Sequence, residues 1–129
     1  MFIVDDNGSI FCHQGDSGYV FIDGLSPNKN YLVYFGVRNQ KRQQVGQEVH
    51  IESNYQTSVK IFIPTELTDL LEVGKNDEYA EYHYGIKICD AETGEEDTLV
   101  LGNNEMGDKN VITVYPKEVE GTNGSSKSF

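Results

Sequence analysis

The chain has 129 residues, a length that suits one domain with a single hydrophobic core. Thirteen glycines, eight tyrosines, six phenylalanines and no tryptophan are typical of an all-β domain with many turns. Ten basic and 21 acidic side chains give a formal net charge of -11, which opposes binding to a phosphate backbone. We therefore expect no nucleic-acid partner.

The sequence shows no sign of a targeting or membrane-spanning segment. Its first residues lack a basic start followed by an apolar run of about 7–15 residues, so we expect no signal peptide. No stretch approaches the roughly 20 apolar residues of a membrane helix, and we expect no membrane partner. Cys12 and Cys89 lie far apart in a chain without an export signal, which predicts two reduced thiols.

The first half of the chain alternates short apolar runs with clusters of turn residues, which predicts strands joined by turns. Phe2–Val4 and Ile10–Cys12 flank the turn Asp5–Gly8 and predict an opening hairpin. Tyr19–Ile22 is apolar at every position, which predicts a strand covered on both faces. Further strands are predicted at Tyr31–Arg38, Val45–Ile51 and Thr57–Ile63.

The segment from Pro64 to Gly74 breaks this alternation. Thr65 is a candidate N-cap, and the acidic residues that follow it lie where the helix dipole favours negative charge. Gly74 can end a helix. Three leucines recur at helical spacing: Leu67, Leu70 and Leu71. We predict a short crossover helix over about residues 65–73.

The clearest pattern in the sequence is the run Tyr79–Cys89. Its even-numbered positions from Ala80 to Ile88 are apolar or aromatic, and the positions between them are mostly polar. This period of two predicts a central, half-buried strand. After it, Asp90–Asp97 is a predicted hairpin loop, and the remaining predicted elements are the strand Thr98–Leu101, the loop Gly102–Asn110 and the strand Val111–Tyr115.

About eight short strands with one short helix favour an all-β fold. We predict an immunoglobulin-like antiparallel β-sandwich with one short crossover helix. From Lys117 the composition turns to Glu, Gly, Asn, Ser and Lys, which cannot bury enough apolar area to order itself. We predict a sandwich domain over residues 1–116 and a flexible or partner-ordered tail over residues 117–129.

The sequence offers few candidates for catalysis. Cys12 and His13 form the one close Cys/His pair, but neighbours in a strand point to opposite faces and cannot readily share a proton or a metal. His83 lies on the polar face of the central strand, and His50 has no acid or thiol at ligand spacing. We expect no enzymatic activity, no catalytic residue and no cofactor.

The acidic loop Asp90–Asp97 raises calcium as an alternative, since Ca²⁺ prefers six to eight oxygen ligands. Its order of residues does not fit the D-x-[DN]-x-[DN]-G register of known calcium loops. We expect a solvated hairpin tip and no metal site.

Charge is unevenly distributed along the chain. Residues 24–64 carry five bases and two acids, whereas residues 65–99 carry eleven acids and two bases. Opposite patches of this kind could join copies head to tail, although a solvated acidic surface explains the same counts.

Several short motifs recur in an order known from a protein family. They are the turn Gln14–Gly18, the strands Tyr31–Asn39 and Ser58–Pro64, the leucines of the predicted helix, Gly74 followed by Tyr82–Asp90, the strand Thr98–Gly102 and the run Ile112–Val114. This order, over roughly residues 9–115, resembles the N-terminal domain of the upper-baseplate-protein family of tailed bacteriophages.

The resemblance implies a structural protein of the virion: a non-enzymatic sandwich, assembled in the host cytoplasm, that docks in many copies on other virion structural proteins. Family members usually continue into a long region with receptor-binding parts, whereas this chain ends at Phe129. We therefore expect an adaptor or decoration domain on the tail, neck or capsid, rather than a complete baseplate arm.

Two other functions remain open. Tyr55 and Tyr79 stand beside Asn and Asp side chains, which suits a module that binds host-surface carbohydrate. The strongly acidic segment 65–99 suits an inhibitor that mimics nucleic acid.

Overall fold

The computed structural model describes residues 1–101 and 110–119. Within these residues the chain is an all-β sandwich with one short helix. In chain order the elements are β1 (Phe2–Val4), β2 (Ile10–His13), β3 (Gly18–Ile22), β4 (Tyr31–Arg38), β5 (Gln44–Glu52), β6 (Val59–Ile63), α1 (Thr65–Thr68), β7 (Ala80–Asp90), β8 (Glu96–Leu99) and β9 (Asn110–Tyr115).

Two predicted segments fall largely outside this description. Of the loop predicted at Gly102–Asn110, the structure describes Asn110, which begins β9. Of the tail predicted over residues 117–129, it describes residues 117–119. No helix in the described part of the chain is long and apolar enough to cross a membrane.

Seven strands form the larger sheet, in the order β1-β2-β9-β7-β4-β5, with β8 paired to the second half of β7. As the alternation predicts, β7 is central, with Tyr84 and Ile86 buried and Glu81 and Lys87 exposed. The remaining described strands, β3 and β6, pair with each other as a second sheet.

One pairing differs from the predicted antiparallel sandwich. β2 and β9 run parallel, with Ile10 opposite Ile112. A hairpin forces two strands to be antiparallel, but β2 and β9 are joined by most of the chain and are under no such constraint. The other pairs among the described strands are antiparallel.

The layout is immunoglobulin-like. In such sandwiches the second and fifth strands of the seven-strand pattern pair in one sheet, while the third, sixth and seventh pair in the other. Here β3 and β6 form the first group, and β4, β7 and β9 form the second. The predicted fold class is confirmed.

The core lies between the two sheets. Phe35 and Val33 of the large sheet and Ile61 and Val20 of the small sheet are at most 1% exposed. The ring of Phe35 stacks on that of Tyr84, with 5.1 Å between the ring centroids.

The crossover helix is shorter than predicted, because α1 ends at Thr68 rather than near residue 73. After Thr68 the backbone tightens into turns, in which Leu70 N–H donates to the carbonyl oxygen of Leu67 and Leu71 N–H to that of Thr68. The Thr68 hydroxyl also donates to the carbonyl oxygen of Asp16, at 2.8 Å. Leu67 and Leu71 are buried, whereas Leu70 is 52% exposed.

Candidate docking surfaces

The outer face of the small sheet is aromatic. Tyr19 and Phe21 of β3 and Phe62 of β6 are 45%, 67% and 49% exposed. The centroids of the Tyr19 and Phe62 rings are 5.3 Å apart, and Lys60 Nζ lies 4.7 Å from the centroid of Tyr19. We call these four residues the aromatic face.

The prediction that Tyr19–Ile22 is covered on both faces is wrong. Val20 and Ile22 point into the core, but nothing in the described part of the chain covers Tyr19 and Phe21 on the other side. A two-stranded sheet packed on one side leaves its second side to solvent or to a partner. An apolar run shows that both sides of a strand are apolar, and it cannot tell which side the chain itself covers.

The outer face of the large sheet contains a hollow above two glycines, which we call the glycine hollow. Gly36 of β4 and Gly85 of β7 lie directly opposite each other across the strand pair. The hollow has a volume of about 450 Å³, and its walls include Tyr34, Arg38, Glu48, Lys87, Cys89 and Thr98. Sequence reasoning missed it, because the two glycines meet through strand register and no local motif links them.

Arg38, at the end of β4, lines the glycine hollow. Arg38, Lys41 and Arg42 are exposed at the end of β4 and in the turn that follows, and we call them the basic rim. Arg38 Nη1 donates a hydrogen bond to the carbonyl oxygen of Arg42, at 3.0 Å. The ion pairs formed within the described ranges involve other cations, so no carboxylate there neutralises the basic rim.

The β7–β8 turn is acidic, and its buried member organises it. The Asp90 carboxylate is 5% exposed and accepts hydrogen bonds from the backbone N–H of Glu92, at 2.9 Å, and of Thr93, at 3.3 Å. These hydrogen bonds, together with Lys29 Nζ at 3.8 Å, hold the pKa of Asp90 below its usual value. Four neighbouring carboxylates point to solvent: Glu92, Glu95, Glu96 and Asp97.

The hydrogen bonds of Asp90 count against calcium binding at this turn. The Asp90 carboxylate is already occupied by the turn's own N–H groups. Among residues 1–101 and 110–119, no three His, Cys, Asp or Glu side chains come together in a way that could hold a metal ion.

The neighbouring side chains of Cys12 and His13 lie in different environments. Cys12 is 1% exposed, and burial raises the pKa of its thiol to about 11. His13 points outward, where its ring centroid lies 5.6 Å from that of Tyr115 and its Nδ1 lies 3.9 Å from the carboxylate of Asp16. The two side chains face opposite sides of β2, as the strand period predicts.

The other residues considered for a site are also scattered. The ring of His50 packs beside that of Tyr34, with centroids 5.4 Å apart. His83 is half-buried on β7, opposite Arg38. Tyr55 donates a hydrogen bond to Glu92 near the end of β7, whereas Tyr79 precedes the start of that strand, so these tyrosines do not meet.

The two charged segments do not form two separate sides of the molecule. β7, from the acidic segment, lies directly beside β4, from the basic one. Opposite charges are concentrated instead at two turns: the basic rim follows β4, and the acidic turn follows β7. Because the two strands are antiparallel, with Tyr31 opposite Asp90 and Arg38 opposite His83, these turns lie at opposite ends of the strand pair.

No protein-family model and no curated protein matches the sequence. The resemblance to the phage family stays a prediction that rests on the motifs quoted above.

Proposed function

We propose that this chain is a non-enzymatic adaptor or decoration domain of a bacteriophage particle that docks on other structural proteins of the tail, neck or capsid. The observation that supports this proposal is the aromatic face, where three exposed rings share one side of a two-stranded sheet. Aromatic side chains are enriched in the cores of protein interfaces, and contiguous exposed patches of them mark interaction sites. The motif order gives the proposal its phage setting.

The size of the patch indicates what kind of interface it serves. A fully buried aromatic side chain covers roughly 150–250 Å², so burying the exposed parts of these three would remove about 300 Å² from water. At about 25 cal/mol per Å², this contributes about 8 kcal/mol. Association costs about 4–15 kcal/mol. The aromatic face therefore acts as the energetic centre of a larger interface rather than as a complete one.

The backbone around the aromatic face supports this larger interface. Within the described residues, β6 pairs on one edge alone, with β3, so no strand there pairs with the N–H and C=O groups of its other edge. Beside β6 an open groove of about 590 Å³ separates it from His50 and Ile51 of β5. A partner strand can add to such an edge while its side chains contact the rings.

Two measurements test the proposal. Mass spectrometry on density-purified particles from the source of the sequence should find this protein at a fixed ratio to the major capsid or tail subunits. Its absence from particles, with abundance in the infected cell, would overturn the structural role and favour the inhibitor.

The second measurement addresses the surface itself. A photo-crosslinking amino acid at Phe21 should capture a virion protein, whereas the same group at Leu70, which is 52% exposed and belongs to neither strand of the small sheet, should not. Equal capture from both positions would contradict docking through the aromatic face.

Carbohydrate binding remains a second candidate because a further group of rings is exposed. The ring centroid of Tyr115 lies 6.5 Å from that of Tyr79 and 5.6 Å from that of His13. Stacked aromatic rings offer a platform for a sugar. A Tyr79→Ala/Tyr115→Ala variant that loses glycan binding measured for the unmodified chain would support this candidate, and absence of binding by the unmodified chain would remove it.

A further inference from the structure

Gly85 has no evident structural reason to be glycine. It lies in the interior of the central strand, where its φ is not positive, and a Cβ added there would meet no atom within 4 Å. Glycine within a strand loses packing and entropy, and it often marks a place where a ligand or another backbone approaches closely. Its partner Gly36 differs, because a Cβ there would lie 3.1 Å from the Glu48 side chain. The open position at Gly85 therefore indicates an outside occupant.

The charges beside the glycine hollow indicate the chemistry of that occupant. Three cations of the basic rim have no carboxylate partner among the described residues, in a chain of net charge -11. Lys87 is paired with Glu96, at 3.9 Å, and both Glu96 and Glu48 line the hollow. The excess of positive charge thus lies at the Arg38 end, which favours an occupant with carboxylates there.

The same molecule carries a segment with that chemistry. The acidic turn carries the exposed Glu92 and Glu95, and it lies at the opposite end of the β4–β7 pair from the basic rim. Glu96, which follows it, lines the hollow of its own copy beside Lys87. A turn at one end of a molecule and a receiving surface at the other can meet between copies by displacement along the strand direction. Such a contact is heterologous and builds open chains or rings.

We propose that the glycine hollow and the basic rim receive the acidic turn of a second copy of this chain, so that copies associate head to tail. Glu92 and Glu95 of one copy approach Arg38 and Arg42 of the next. The missing side chain at Gly85 lets the incoming turn lie close to the sheet. The proposed contact joins copies of this chain alone. An experiment that excludes it would therefore leave the proposed role of the aromatic face unchanged.

The salt dependence follows from two opposing electrostatic effects. Each copy carries a net charge of -11, so whole molecules repel each other when screening is weak. The Debye length is about 30 Å at 0.01 M salt, about 10 Å at 0.1 M and about 3 Å at 1 M. Salt near 0.1 M therefore screens the repulsion between molecules while leaving ion pairs across the contact effective. Self-association should be strongest at intermediate salt and weaker at both extremes.

The test is sedimentation velocity on the full chain at 0.1 M NaCl, up to about 1 mM protein, the concentration at which a few ion pairs become measurable. The R38E/R42E and E92K/E95K variants should each fail to associate, and mixing them should restore association because both charge patterns are reversed. As a single-charge control, the K75E variant has the same net charge as R38E alone, but Lys75 does not line the hollow. It should associate within about twofold of the unmodified chain.

Two further readouts separate this contact from a change in folding. A Gly85→Thr variant should be at least as stable as the unmodified chain and yet lose association, because its side chain occupies the hollow. Cys89 lines the hollow, so alkylation of its thiol should slow when copies associate. A chain that stays monomeric at every salt concentration, or a charge-swapped mixture that does not associate, would overturn the proposal. Unchanged association of the Gly85→Thr variant would do the same.

Discussion

The phenolic hydroxyl of Tyr84 donates a hydrogen bond to the backbone carbonyl oxygen of Gly8, which lies 76 residues earlier in the chain. Asn110 Nδ2 in turn donates to the Tyr84 oxygen, at 3.0 Å. Both Tyr84 and Asn110 are buried. One side chain of the central strand therefore joins the turn after β1 to the start of β9.

We expect Tyr84→Phe to lower the free energy of unfolding by about 1–2 kcal/mol, because the buried amide of Asn110 and the carbonyl of Gly8 lose their partner. Urea denaturation measures this change. Tyr34→Phe is the matched control, since the Tyr34 hydroxyl makes no hydrogen bond within the described residues. It should shift stability by less than about 0.5 kcal/mol. Equal losses in the two variants would contradict the role assigned to the Tyr84 hydroxyl.

The buried thiol of Cys12 should lower the stability of the folded chain at alkaline pH. Burial raises the pKa of its thiol from 9.0 to about 11, so above pH 9 the unfolded chain releases a proton that the folded chain keeps. Deprotonation thus favours unfolding. The free energy of unfolding is therefore at its full value below pH 9. It falls as the pH rises to about 11, by about 3 kcal/mol at most.

Urea denaturation between pH 8 and pH 11 checks this. Cys12→Ala should make the decline between pH 9 and pH 10 shallower, whatever it costs in packing at neutral pH. Above pH 10 a decline should persist, because burial raises the pKa of Tyr84 to about 12. Cys89→Ala leaves Cys12 in place and should keep the decline of the unmodified chain. An unchanged slope in Cys12→Ala would assign the decline to other groups.

Two glycines should respond in opposite ways to added side chains. Gly85→Thr should raise the free energy of unfolding by about 0.5–1 kcal/mol, because the position is open and threonine favours strands. Gly8→Ala should lower it by more than 1 kcal/mol, since Gly8 has a φ of 81° and its Cβ would lie 2.7 Å from the carbonyl oxygen of Leu101. Thermal melts of the two variants give the comparison, and a destabilised Gly85→Thr would show that the hollow is needed for folding.

Lys117 is the first residue of the predicted tail, and it contacts the sandwich. Its Nζ lies 2.6 Å from Asp69 Oδ1, with the Lys117 side chain 16% exposed. We expect a chain ending at Pro116 to be less stable by about 1 kcal/mol than one ending at Val119. The Lys117→Met variant of the longer chain should reproduce most of that loss. Equal stability of the two truncated chains would place the edge of the domain at residue 116, where the sequence predicts it.

Side-chain direction along a strand could be predicted because it depends on the backbone alone. Successive residues point to opposite sides, so the alternation around Tyr84 and Ile86 sufficed to place β7 and its buried face. The fold class followed from the number and spacing of such runs. The length of α1 could not be predicted, because the backbone after Thr68 is held by a distant residue: Gln14 Nε2 donates a hydrogen bond to the carbonyl oxygen of Asp69, at 2.8 Å.

The candidate surfaces were harder to predict because they depend on pairing between distant segments. Gly36 and Gly85 meet through the register of β4 and β7, and neither glycine differs locally from a turn or bulge glycine. Tyr19 and Phe21 alternate with Val20 and Ile22 in a run that is apolar throughout, so only the tertiary structure decides which pair is left outside.

The parallel pairing of β2 with β9 constrains the order in which the chain can fold. The β1–β2 hairpin joins the large sheet through β9, whose residues 110–115 are synthesised long after β2. Until then Ile10 and Cys12 lack the neighbouring strand beside which they are buried. Contacts between such distant segments form slowly, and a nascent chain must protect the apolar side of its opening hairpin meanwhile. The opening hairpin can therefore form early, but it joins the large sheet only after β9 has been synthesised.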